Sequence, residues 1–338
     1  MARYRNLHAP IKYKDIEVAP GYAEILEFLE LDTSENKSEI PEQIAPEEKD
    51  TKPNTFAPEE KDTKPNTFAP EEKDTKQNTS GHLFVKEFSP LRANAISWLN
   101  IVKGSNVLEI NSGCGAVTEY LLGMDCNVRC IEPSMVKCKI NALRNADAEN
   151  LDIYVGDATE FFALNKNNNT DTKTDNRFGD ISYGYIIIWD AHELVEKIDL
   201  NMLAAMLNKT GKLVLAFNNK YGLKYFAGCK DEGMDYFSSI DKASKLITKE
   251  QFESVLAAQN IEHFDVYYPY PDYVFTHSVY SDYYLPKAGD LTNNDYYYGD
   301  ERLIIFDETE AYNNIIKDGK FAEFSNSYMY VVEGAHNG

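Results

Sequence analysis

Basic residues are scarce in this chain: 34 Lys and Arg stand against 55 Asp and Glu in 338 residues, a formal net charge of −21. A surface of that sign repels phosphate backbones, and no Lys/Arg cluster offsets it, so nucleic acid is not expected as a substrate. Long apolar runs are missing too. None approaches the ~20 residues that span a bilayer, and the opening MARYRNLHAPIKYKDIEV lacks the apolar centre of a signal peptide. Cysteine is sparse: five, an odd number, make no disulfide framework, and reduced thiols fit a cytoplasmic protein better. Cys126, Cys130 and Cys138 match no common zinc spacing, and Cys130 sits in an apolar run where cysteine behaves as a small hydrophobe, so no metal is expected. The length does allow a substantial core, in one large domain or two small ones.

A direct twelve-residue repeat begins at Ala45: APEEKDTKPNTF twice, then APEEKDTKQNTS. Rich in Pro and charge, with one Phe per complete unit, it cannot bury enough apolar area to offset chain entropy. Residues 35–80 are therefore expected to be a disordered acidic linker, with the Phe residues as partner-docking points the alternative. Ahead of it, residues 1–34 contain GYAEILEFLEL (Gly21–Leu31), whose apolar spacing predicts an amphipathic helix. Residues 81–338 form the expected main domain.

Within that domain, NVLEINSGCGAVTEYLL (Asn106–Leu122) runs an apolar strand into a Gly-x-Gly turn and then a helix. Gly113 and Gly115 lack a Cβ, so the backbone can turn tightly and approach a ligand. The first turn of the helix then offers N–H groups to a carboxylate. Glu132 closes the next apolar run, where a carboxylate can accept from ribose hydroxyls, and Asp157 closes the one after, where it could accept from an adenine amino group. Together these point to S-adenosyl-L-methionine. A lone Gly-x-Gly would only mark a strand end. An NAD site needs a third small residue where Thr118 stands. Further strands are expected at Asn127–Ile131, Leu151–Val155, Tyr183–Trp189, Lys212–Phe217, Glu262–Tyr268 and Ser327–Val332, and a helix at Ser89–Leu99. Alternation of strands and helices predicts an α/β, doubly wound, Rossmann-like sheet of seven mostly parallel strands. The polar run Asn165–Asn176 reads as a loop. Tyr267–Tyr298 is dense in tyrosine and reads equally as a structural cap or as a platform for an acceptor such as a sugar.

EINSGCG resembles the first motif of class I S-adenosylmethionine-dependent methyltransferases, E/D-x-G-x-G-x-G, with Glu109, Gly113 and Gly115 in place and Asn111 where the first glycine stands. NALRNADAENLDIYVGD, FNNKYGLKYFAGCKDEG, YYPYPDYVFTHSVYSDYYLP and FAEFSNSYMYVVE resemble a bacterial subgroup associated with glycosyltransferases of cell-surface polysaccharide synthesis. The likeness spans roughly His82 to Glu333. It implies the methyltransferase fold, S-adenosyl-L-methionine on Glu109, Asn111, Gly113, Gly115, Glu132 and Asp157, a small-molecule or glycan acceptor, and a glycosyltransferase partner.

Methyl transfer requires alignment of nucleophile, methyl carbon and sulfur, and a hydroxyl acceptor also needs a base. IIIWDAHELV offers Asp190 and His192 at the end of the fourth expected strand. His192 is the expected base, since histidine is the side chain that titrates nearest neutral pH, although a helix-start histidine can equally just cap or pack. Tyr225, Asp272 and Tyr273, from segments emerging on the same side of the sheet, are the candidate acceptor contacts. Two rival readings remain: an NAD-dependent oxidoreductase on the same turn, and a non-catalytic adenosylmethionine-binding scaffold.

Overall fold

The computed structural model describes residues 3–6, 85–163, 178, 181–230, 234–292 and 303–334. The expected helix at Gly21–Leu31, the linker at 35–80 and the Asn165–Asn176 loop lie outside these residues. The described strands are β1 (Arg3–Asn6), β2 (Asn106–Ile110), β3 (Asn127–Glu132), β4 (Leu151–Val155), β5 (Tyr183–Ile188), β6 (Leu207–Asn218), β7 (Asp265–Tyr270), β8 (Ser278–Ser281) and β9 (Ser327–Glu333). They form one sheet in the order β1-β4-β3-β2-β5-β6-β9-β7-β8. β1 to β6 pair in parallel, whereas β9 is antiparallel to both β6 and β7, and β8 is antiparallel to β7. The order reverses between β2 and β5. The carboxyl ends of those two strands therefore flank the crevice in which open α/β sheets hold ligands.

All seven expected strands are present, and the sheet gains two more. β8 is a four-residue edge strand, SVYS, too short and polar to read as a strand by period, and β1 adds a fourth parallel neighbour on the β4 side. Helix Leu91–Ser97 fills the expected position, preceded by Pro90 and by a helical turn at 85–88.

Strand alternation splits the core in two. Ile186 and Ile188 face one layer with Leu213, Leu215, Phe217, Phe252 and Tyr330, while Ile187 and Trp189 face the other with Val107, Val128, Cys130, Val117 and Leu121. The second layer belongs to the helices Ala116–Gly123 and Met135–Arg144, which follow β2 and β3 and present their first turns to the crevice. Tyr268, Tyr270 and Tyr273 are buried, and Tyr268 donates to Asp282, while Tyr283 and Tyr284 project outward. Among the described residues no helix is long and apolar enough to cross a membrane, and no cluster of His, Cys, Asp and Glu could hold a metal.

Candidate functional site

The turn after β2 runs through three left-handed residues: Asn111 at φ 60°, Gly113 at 58° and Gly115 at 83°. Asn111 tolerates this conformation, and its Nδ2 donates to the Trp189 carbonyl at 2.8 Å, which ties the turn to the end of β5. At Gly115 a Cβ would lie 2.3 Å from Asn141 Oδ1, so no side chain fits. Glu132, at the end of β3, accepts from the Gly113 N–H through one carboxylate oxygen and from the Ser134 N–H through the other, both at 2.9 Å. Each oxygen retains a second lone pair for a ribose hydroxyl. Burial raises the Glu132 carboxyl above its ordinary value, opposed by Lys137 and the two backbone N–H groups. Asp157 is exposed after β4, and its Oδ1 accepts from the Thr159 N–H and hydroxyl. With turn, ribose acid and exposed second acid in this arrangement, the residues fit an S-adenosyl ligand.

Glu109 differs from its expected role. It is fully buried within β2, its oxygens accepting from the Thr118 hydroxyl at 2.6 Å and the Trp189 indole N–H at 2.9 Å. It thus braces helix Ala116–Gly123 and the end of β5 from beneath the turn, out of reach of a ligand.

On the acceptor side, Asp190 is left-handed at φ 50°, and its Oδ1 accepts from the Tyr273 hydroxyl at 2.6 Å. The Tyr273 ring stacks on Trp189, with centroids 5.8 Å apart. His192 lies on the following 3₁₀ turn with its ring 6.2 Å from Phe217, on the larger-core side. The structure therefore brings Asp190 and Tyr273 together and sets His192 apart from them. Tyr225 and Asp272 are 1% and 3% exposed, as deeply placed as Tyr273 at 4%. Asp272 accepts from the Val274 and Phe275 N–H groups at 3.0 Å and pairs with buried Lys224 at 2.9 Å, and Lys224 also donates to Asn218 at 3.1 Å. An ion pair this deep must satisfy its own desolvation, so neither partner is available to an acceptor.

Three residues at the site have no counterpart in the sequence reading. Glu87 and Arg92 precede the first motif, and Lys224 sits between apolar neighbours in GLKYF. Only the unusual charge inside that apolar run could have signalled Lys224, and nothing in spacing marks the other two.

Residues 53–166, about a third of the chain, match the family model of protein-L-isoaspartate(D-aspartate) O-methyltransferase, and the whole cradle falls inside that segment. No curated protein matches the chain. Solved structures with similar folds include the putative methyltransferase in complex with the Trm112 methyltransferase activator from Haloferax volcanii. That match has 13% identity, covers 78% of this chain and 95% of that one, and has a TM-score of 0.42. A SAM-dependent methyltransferase from Archaeoglobus fulgidus matches at 14% identity over 74% and 98% of the two chains, TM-score 0.42. Haemonchus contortus phospholethanolamine N-methyltransferase 2, in complex with phosphomonomethylethanolamine and S-adenosylhomocysteine, matches at 12% identity over 76% and 60%, TM-score 0.39. Likenesses this distant say nothing of an acceptor. The family match over the cradle supports S-adenosylmethionine as the cofactor.

Proposed function

We propose that this chain is an S-adenosylmethionine-dependent methyltransferase acting on a hydroxyl acceptor, with a sugar or glycan-linked hydroxyl favoured by the resemblance of its later segments. The observation that carries the reading is Glu132, a buried carboxylate fixed by the Gly113 and Ser134 N–H groups beside a left-handed glycine turn. NAD is disfavoured because Thr118, at the helix–strand contact that a third small residue would fill, is instead bonded to Glu109. A purely scaffolding role has little support, since Asn111 keeps the turn that its missing glycine would have provided. Glycosyltransferase association and a cytoplasmic setting belong to the same proposal, the former resting on resemblance alone.

The cofactor supplies an activated methyl on a sulfonium, whose departure leaves a neutral thioether. A hydroxyl acceptor that took this methyl would have to lose its proton, and that is the step for which the chain's own residues would be needed. Asp190 is the group we assign to take that proton, held in place by the Tyr273 hydroxyl; His192, two residues on and packed toward Phe217, is the second candidate. Transfer of labelled methyl groups to a panel of sugars and nucleotide sugars tests the reading. Asp190→Asn should lower turnover ~10²–10⁴-fold with cofactor affinity intact. If His192→Ala produces that loss and Asp190→Asn does not, the base assignment reverses. If peptides accept methyl groups and no sugar does, the acceptor class is wrong.

A further inference from the structure

Glu87, on the turn at 85–88, is 4% exposed, and beneath it Ser112, Cys114 and Glu132 are 3%, 1% and 4% exposed. Its Oε2 lies 3.3 Å from the point a Gly113 Cβ would occupy. Its carboxylate also stands between two cations, 3.7 Å from Lys137 Nζ and 4.0 Å from Arg92. A carboxylate so deeply placed needs such partners to offset lost hydration. Arg92 faces the crevice: burial lowers its pKa, but Glu87, Tyr273 and Asp190 raise it further than burial lowers it. The 85–88 turn is tied by the Arg144 guanidinium, which donates to the Glu87 and Phe88 carbonyls at 3.4 Å each and lies over the Phe88 ring, and by Arg92, which donates to the Lys86 carbonyl at 3.3 Å.

We propose that Arg92 and Lys137 form the subsite for the α-carboxylate of an S-adenosyl amino acid, and that Glu87 holds this subsite as an internal competitor that the ligand displaces. The inference rests on the cofactor reading above. A ligand whose amino-acid end reaches Gly113 brings a carboxylate to the place where Glu87 already stands. Two carboxylates sharing one site repel, so one must leave. Glu87 leaves together with the 85–88 turn, and ligand binding is thereby coupled to the segment that joins the domain to the repeats.

Calorimetry on the full-length protein separates the parts, using S-adenosylhomocysteine and 5′-methylthioadenosine, which lacks the amino-acid end. Glu87→Ala should tighten S-adenosylhomocysteine roughly tenfold by removing the competing state, and leave methylthioadenosine unchanged. Arg92→Met should weaken S-adenosylhomocysteine roughly tenfold and spare methylthioadenosine. Lys137→Met provides the same test if Arg92→Met folds poorly. Hydrogen exchange at 85–88 in the wild type should rise with S-adenosylhomocysteine and not with methylthioadenosine. Weaker or unchanged S-adenosylhomocysteine binding in Glu87→Ala overturns the inference, the weaker case making Glu87 a ligand for the α-ammonium. Equal effects on both ligands overturn it as well. A wild type that binds neither ligand sinks the cofactor reading itself, an outcome distinct from all of these.

Discussion

Asn111 carries two tasks that a glycine there could not combine. It holds a left-handed turn at φ 60°, and it donates to the Trp189 carbonyl, so the cradle and the end of the neighbouring strand move as one. Asn111→Ala loses the conformational tolerance and the bond, and should cost about 2 kcal/mol in urea unfolding. Asn111→Gly loses only the bond and should cost about 1 kcal/mol. Equal losses in the two variants would show that the turn carries no left-handed strain. Glu109 yields a pH prediction. Burial raises its carboxyl above the ordinary 4.5, opposed by the hydrogen bonds from Thr118 and Trp189. A raised folded-state value means that the protonated form is favoured by folding. Its contribution is full below the unfolded value and is lost as pH rises through the folded one. Glu109→Gln, which cannot ionise, should flatten the fall in stability over that window. Parallel stability–pH curves for the two proteins would exclude Glu109 as a source of the slope.

At the scale of elements, the crevice edge is built from strand ends that are far apart in sequence. The Lys224–Asp272 pair joins the exit of β6 to the turn after β7; Asn326, just before β9, accepts from the Lys224 N–H and donates to the Pro271 carbonyl, and Ser327 accepts from the Tyr273 N–H. Lys224→Met leaves Asp272 buried without its cation and should cost about 3–5 kcal/mol. Adding Asp272→Asn to it should recover part of that loss, a coupling readable in a double-mutant cycle. Additive losses would mean that the two residues act independently. This network also marks where the sequence stops being readable. β2, its glycine turn and Glu132 follow from period and local backbone chemistry, which lie within one short stretch. Lys224, Glu87 and Arg92 owe their roles to contacts across the fold, which no local pattern encodes. The same holds for Tyr225 and Asp272, whose position near the crevice could be anticipated from topology although their burial could not. β6 begins at Leu207 instead of Lys212 because its polar start, LNKTG, is drawn into the ladder when Leu207 pairs with Tyr183.

For the molecule as a whole, one sheet carries the cofactor cradle on the β3–β2 side of its switch point and the Asp190–Tyr273 pair on the β5 side. The repeat segment is a separate matter of composition. Removing residues 45–80 should leave the melting temperature nearly unchanged, because a solvated charged repeat contributes few buried contacts; a large drop would show that it packs on the domain. The central claim is that Gly113, Gly115 and Glu132 hold an S-adenosyl ligand. Calorimetry with S-adenosylhomocysteine and NAD tests it most directly. The account predicts that the wild type binds S-adenosylhomocysteine and not NAD, and that Glu132→Ala weakens that binding by ~1.5–3 kcal/mol. Binding of NAD with no response to S-adenosylhomocysteine, or equal affinity in wild type and Glu132→Ala, would contradict it.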